Sequence, residues 1–340
     1  MKSITKIGIS IGDVNGIGLE ILGKYLNSLE FQQISKKVEI VIFCNYKTIS
    51  EYFRLMENGK ELLNNFQRLL EKNSIRLEEI DIEPNIEFGK VSKVAGSLAL
   101  ESIKCALSST KKQQVEAMVT LPICKEAIQA NLPSFIGHTE YISKHFPKSE
   151  PLMLFVHKNL RLAILTTHLP LKIVAKKITS KLLVKKIENM YRTLTEDFKI
   201  QQPKIAILGL NPHSGEDGLL GKEEIETFKP VINYYKTQKI NLEGPFPADG
   251  FFAFGIYKKY DGILACYHDQ GLIPFKILSK GKGVNFTANL PIVRTSPDHG
   301  TAFDIAGKNL ADFKSLKNAI SLAIKISKCR KKREKIKLLA

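Results

Sequence analysis

The sequence predicts an α/β protein whose sheet is mostly parallel with some antiparallel strands. Three features carry that expectation. Short apolar, β-branched runs alternate with helical patterns along the chain, as βαβ units do. One pair of runs, 152–156 and 160–166, is split by only three residues (His157 to Asn159), which reads as a hairpin and adds antiparallel strands. The length of 340 residues suits about two domains with ample chain for a core.

The elements follow in order. Residues 4–11 form an apolar strand that ends at Gly12, and a helical pattern runs over 17–29. A second strand is expected at 38–43, then mainly helix with polar breaks over 46–70. Residues 97–108 are an amphipathic helix, and a short strand opens at 117–119 and ends at Pro122. After the hairpin come helices at 171–178 and 182–198, a strand at 205–208, a helix at 223–235 and a strand at 262–266. Strand-like pieces at 284–285 and 292–295 precede a last apolar helical pattern through Ala319, Ile320, Leu322, Ala323 and Ile326. The expected division is a discontinuous first domain, 1–130 plus 290–340, with a second domain, 131–289, inserted in it.

Composition narrows the function. Hydrophobic residues make up 44% and charged residues 25%, which is ordinary for a globular chain and wrong for a disordered one. No apolar run is long enough to span a membrane, and the N-terminus lacks a signal-peptide pattern. Five scattered cysteines without a CxxC pair argue against a disulfide framework or zinc ribbon and suit a reducing cytoplasm. The net charge of +17 admits nucleic acid or an anionic substrate. The lysines are spread along the chain, and no known nucleic-acid motif accompanies them. The dense run Lys328, Arg330, Lys331, Lys332, Arg333, Lys335 and Lys337 is expected to extend the last helix as a solvated end, dispensable for catalysis.

Chemistry-bearing residues gather where strands end. His168 follows the strand LRLAILTT, His213 follows IAILGLNP, and His268 follows DGILACY. Ligands of α/β sheets collect beyond the carboxyl ends of strands. Three imidazoles with an open position make a catalytic divalent-metal site. The long spacings leave open that each is an ordinary hydrogen-bonding loop histidine. His138 lies in the loop-to-helix stretch IGHTEYI, while His145 and His157 read as structural or solvated. Asp249, in the turn GPFPAD, is either a metal partner, orienter or base, or the N-cap of a helix at 250–254. Lys276, Asn285 and Arg294 suit a small anion, or else are surface ion-pair residues. The turn GDVNGIG (12–18) combines close-approach glycines with a helix start, yet fits no nucleotide fingerprint; a plain strand-to-helix turn is the alternative.

The segments GDVNGIGLE (12–20), GHTE (137–140), TTHLPL (166–171), GLNPHSGEDGLLGKEE (209–224), GPFPAD (244–249), YHDQGLIPFK (267–276) and GVNFTANLPIVRTSPDHGTAFDIAGK (283–308) resemble the 4-hydroxythreonine-4-phosphate dehydrogenases of pyridoxal 5′-phosphate biosynthesis. The last segment is also similar to the adenosine-binding loop of isocitrate and isopropylmalate dehydrogenases. The resemblance implies their two-domain α/β/α fold and an NAD (or NADP) site that is not a Rossmann fingerprint. It implies that His168, His213 and His268 bind one divalent metal (zinc, magnesium or cobalt), and that His138, Thr139, Lys276, Asn285 and Arg294 contact substrate. His299, Gly300, Thr301 and Asp304 follow as NAD candidates from the loop analogy. Lys276 and Asp249 are the catalytic candidates, Asp249 as base, with a metal-bound water as its rival. A homodimer with its active site in the interdomain cleft at the subunit interface is implied too.

The implied reaction is NAD-dependent oxidation of 4-phosphooxy-L-threonine to a β-keto acid that decarboxylates to 3-amino-2-oxopropyl phosphate. Two departures bear on loop details. Val14, Asn15 and Leu19 replace the Pro, Ala and Pro of the family's GDPAGIGPE, and Cys124 occupies the Asn position of its APINK stretch. A related dehydrogenase of threonate or erythronate 4-phosphate would use the same groups, and a basic nucleic-acid-binding protein is the reading from another class.

Overall fold

A computed structural model describes residues 4–238 and 240–339, with side chains up to residue 333. The strands are β1 Thr5–Ser10, β2 Val38–Phe43, β3 Ile75–Glu78, β4 Ala117–Thr120, β5 Leu152–His157, β6 Leu160–Ile164, β7 Lys204–Leu208, β8 Asn241–Phe246, β9 Gly262–Ala265, β10 Val284–Ala288 and β11 Arg294–Pro297. The helices in the first half are α1 Gly18–Asn27, α2 Leu29–Ile34, α3 Tyr46–Leu55, α4 Lys60–Glu71, α5 Lys93–Lys111, α6 Lys125–Gln129 and α7 His138–Ser143. Those that follow are α8 Leu171–Lys177, α9 Ser180–Glu196, α10 Lys229–Lys236, α11 Ala248–Ala253, α12 His268–Ser279 and α13 Lys314–Leu339. Among the described residues no helix is long and apolar enough to cross a membrane.

The chain divides into two compact units, Met1–Ser149 with Leu290–Ser327, and Glu150–Asn289 with Lys328–Ala340. The first break therefore falls at Ser149 and not at residue 130. The reason is packing. Ile128 and Phe135 are buried in one cluster with Ala99, Leu100 and Ile103 of α5, which holds the stretch after β4 in the first unit. His138 and Thr139 belong with it.

In the first unit the strand order is β3-β2-β1-β4-β11, and every pairing is parallel. β1 and β2 are buried almost throughout, with only Lys6 and Glu39 partly exposed, as strands covered on both faces are. Ser102 of α5 links their carboxyl ends: its hydroxyl donates to Phe43 O at 2.7 Å and accepts from Ile11 N at 3.0 Å. In the second unit the order is β10-β5-β6-β9-β7-β8. β5 is antiparallel to both β10 and β6, through the expected hairpin, and the remaining pairs are parallel. Phe155, Leu162, Ile164, Leu208, Ile263 and Phe275 lie at the centre of its core.

The mainly helical stretch expected at 46–70, with polar breaks, is two helices, α3 and α4, and agrees with the sequence reading. Several other elements differ from it. The helix expected at 223–235 starts as a wide π turn, Glu224–Phe228, before α10. β3 and β8 have no sequence signal because they are half-exposed edge strands without a continuous apolar run. α12 contains Gly271 and Pro274, so its start reads as a polar turn. The basic end of α13 is not simply solvated. Arg330 makes a two-pronged ion pair with Asp197, at 2.7 and 2.8 Å, with side chains only 13% and 5% exposed. Lys335 and Lys337 have side chains outside the described residues.

Candidate active site

The three histidines of the second unit stand at the carboxyl ends of three neighbouring parallel strands. His168 follows β6, His268 opens α12 after β9, and His213 lies in the turn after β7. Parallel neighbours are about 4.8 Å apart, so this order brings the three loops onto one rim. The rim is cross-tied at Cys266. Thr166 donates to Cys266 O through its hydroxyl at 2.7 Å, and the Cys266 thiol donates to Leu208 O at 3.2 Å. Gln270 accepts from Cys266 N and donates to Gly209 O, both at 2.6 Å. Burial pushes the Cys266 thiol well above its ordinary range, so it is a neutral structural group and not a nucleophile.

Two of the three histidines sit on left-handed backbone, His168 at φ 55° and His213 at φ 50°. Such geometry is costly for a residue with a Cβ and clusters at functional sites. His268 bonds the Asp269 carboxylate through Nδ1 at 2.6 Å. A carboxylate only accepts, so Nδ1 donates this bond, which in the neutral ring leaves Nε2 as the ligating nitrogen. All three imidazoles are exposed. Their donor type and adjacent placement fit a divalent ion. As they stand, no three His, Cys, Asp or Glu side chains among the described residues are gathered closely enough to hold one. The three rings would have to turn to a common point.

The other predicted residues of this unit are dispersed over α11, α12 and β10. Asp249 is exposed in the first turn of α11. It is not an N-cap, because the cap position is Pro247. Lys276 is exposed two turns into α12, roughly 12 Å along the axis from His268. Asn285 lies on β10 opposite Phe155, and its Oδ1 is buried without a hydrogen-bond partner. A buried acceptor left open costs free energy unless a ligand completes it.

The first unit carries the remaining set. Arg294 opens β11 and is 2% exposed, with Nε and Nη2 donating to the Thr120 hydroxyl at 3.1 and 2.6 Å. Burial lowers its pKa to about 10, and Glu140 opposes that shift. His138 is the first residue of α7. Burial, then Arg294 and Lys125 beside it, hold its imidazole well below the usual histidine range. Its Nε2 is buried with no partner. A neutral imidazole with an open nitrogen near two cations is a ready place for an anion. Thr139 follows in the same turn. Lys125, at the start of α6, was not singled out from the sequence, because one exposed lysine among many carries no local signal.

The stretch 298–308 lies beside the GDVNGIG turn. Ile17 N donates to Thr301 O at 3.0 Å, and a Cβ on Gly16 would come within 2.8 Å of that oxygen. The close approach at Gly16 is thus to the protein's own chain. Asp13 in this turn is fully buried, and burial raises its pKa to about 6 against the backbone N–H groups of Asn15 and Cys124. His299 bonds Gly300 O through Nδ1 at 3.1 Å, while Gly300 and Asp304 are exposed.

Residues 36–323 match the family model described as pyridoxal phosphate biosynthetic protein PdxA. A 4-hydroxythreonine-4-phosphate dehydrogenase of Bacteroides thetaiotaomicron is 39% identical over 331 residues, covering 96% of this chain and 90% of that protein. A protein of Clostridium botulinum named for D-threonate 4-phosphate dehydrogenase is 36% identical over 330 residues, covering 94% and 96%. The crystal structure of a 4-hydroxythreonine-4-phosphate dehydrogenase from Klebsiella pneumoniae superposes with a TM-score of 0.76 at 30% identity, covering 96% of this chain and 98% of that one.

Proposed function

The chain belongs to the PdxA family of pyridoxal phosphate biosynthetic proteins, and on that footing we propose that it is an NAD-dependent dehydrogenase of 4-phosphooxy-L-threonine. The observation that carries the substrate class is the buried Arg294 beside a His138 whose Nε2 lacks a protein partner. A terminal phosphate supplies the charge and acceptors that such a pair calls for. His138, Thr139 and Arg294 would hold that phosphate. Lys276 and Asn285 would orient the rest of the substrate, with Asn285 Oδ1 accepting one of its donors.

The reaction removes a hydride from the carbinol carbon and a proton from its hydroxyl. Asp249 is our candidate for the proton acceptor, and its exposure leaves a route to solvent. The β-keto acid then loses carbon dioxide to give 3-amino-2-oxopropyl phosphate. When bound, a divalent ion (zinc, magnesium or cobalt) on His168, His213 and His268 supplies a Lewis acid for the hydroxyl, and NAD or NADP at His299, Gly300, Thr301 and Asp304 supplies the hydride acceptor. We propose a homodimer in the cytosol, the compartment that suits five free cysteines.

The test is NADH formation from 4-phosphooxy-L-threonine, with and without chelator, in wild type and His213→Ala. Turnover that chelator stops and His213→Ala abolishes, with the fold intact, is the expected result. Full activity of metal-free protein overturns the three-histidine assignment. The second reading, a threonate 4-phosphate dehydrogenase, is favoured by the Clostridium relative, and turnover of only threonate or erythronate 4-phosphate would establish it.

A further inference from the structure

We infer that Glu224 is a positioning residue that sets His213 for metal binding. The turn after β7 is unusual. His213, Ser214, Gly215, Glu216 and Asp217 have φ of 50°, 53°, 81°, 43° and 50°, five successive left-handed residues, four of which carry a Cβ. Each such residue is strained, so the surroundings must hold the turn in place.

Glu224 supplies the hold. It lies just past the turn and is 1% exposed. Its Oε1 accepts from the backbone N–H of Leu210 and of Asn211, both at 2.8 Å. Its Oε2 accepts from the Asn211 side-chain amide at 2.9 Å. A Cβ on Gly215 would stand 2.7 Å from the same Oε2, so the turn closes directly over the carboxylate. Ser214 fastens the far side by donating to Pro245 O at 3.0 Å. Three donors converge on one buried carboxylate, two and three residues before His213. Hydrogen bonds to a charged acceptor are about twice as strong as neutral ones.

Loss of the clamp frees the turn to relax toward right-handed backbone and carries the imidazole off the rim. Groups that orient a metal ligand change affinity by about 10–100-fold when removed. Glu223 is the built-in control. Its Oε2 touches only the Asn211 side chain, at 2.8 Å, and no backbone N–H of the turn.

The inference rests on the three-histidine reading, and the experiment separates the two. Cobalt(II) is titrated into the metal-free full chain and its visible absorption and affinity are read, with circular dichroism and melting as checks on the fold. Glu224→Gln, which keeps the shape but replaces one acceptor oxygen by a donor, is expected to weaken cobalt binding about 10–100-fold and alter the absorption band. Glu223→Gln is expected to bind as wild type does. Should Glu224→Gln not fold, Gly215→Ala, which pushes a methyl against the carboxylate, tests the same clamp and is expected to lower affinity in the same range. Cobalt affinity unchanged in the folded clamp variant, with wild type binding and His213→Ala not, overturns the role of Glu224 alone. A wild type that binds no cobalt, or a His213→Ala that binds equally, overturns the metal reading and this inference with it.

Discussion

Asp13 shows how one side chain can cost stability where the fold needs it. Its carboxyl is fully buried, and burial lifts its pKa from 3.8 to about 6. A raised folded-state pKa means the native state binds the proton more tightly than the unfolded chain does. The associated stability is complete below pH 3.8 and is lost as pH rises through about 6. Relative to wild type, Asp13→Asn should therefore gain on going from pH 4 to pH 7, by up to about 3 kcal/mol. Melting curves across that range check it, and a pH-independent difference would refute it. Arg294 belongs to the same class of buried charge, and in the proposed reading its cost would serve phosphate binding. Arg294→Ala should raise KM for the phosphorylated substrate by about 100-fold while changing KM for NAD little. Steady-state kinetics with each substrate varied decide this, and equal effects on both would make Arg294 structural.

Helix α13 corrects the simplest reading of a basic tail. Its apolar part is buried in the first unit, where the Thr295 hydroxyl donates to Ala319 O at 2.9 Å. Its end belongs to the second unit, where Arg330 meets Asp197 and Arg333 meets Glu196. A tail held this way is tied to the second unit by ion pairs and is not simply solvated. Arg330→Met leaves the Asp197 carboxylate buried and unpaired and should cost about 3 kcal/mol. Adding Asp197→Leu should restore most of that loss, because an apolar pair of similar volume needs no desolvated charge. Thermal melts of the single and double variants test the claim, and an unchanged melting temperature for Arg330→Met would return the tail to solvent. α12 carries a related lesson. Gly271 and Pro274 hide the helix from pattern reading, yet that helix is what carries His268 and Lys276 on one rigid body.

The charge of +17 fits both a nucleic-acid binder and an enzyme with a basic surface, and salt dependence tells them apart. Lys and Arg number 51, and the buried Arg161 and Arg294 and the partly buried Arg330 have specific protein contacts. RNA or DNA binding should be weak and fall steeply with salt, as released counterions demand, and should vanish at physiological ionic strength. Filter binding against salt concentration measures it, and tight binding at physiological salt would revive the nucleic-acid reading.

Strands and helices with a strong local pattern were legible. β2 is VEIVIF, apolar and β-branched, and it falls where the pattern put it, at Val38–Phe43. The hairpin of β5 and β6 is equally local, since the two residues between them, Lys158 and Asn159, leave no other connection. The residue types at strand ends were legible for the same reason: His168, His213 and His268 each follow an apolar run. What the chain alone could not decide is order in space. Only the tertiary fold puts β9 between β6 and β7, so that loops about 45 and 55 residues apart share a rim. Only the fold makes Glu224 a buried acceptor of the Leu210 and Asn211 N–H groups, His138 a neutral imidazole and Arg330 the partly buried partner of Asp197. Hydrophobic periodicity is written over a few neighbouring residues, whereas strand order, left-handed turns and the burial of a charge depend on contacts far apart in the chain.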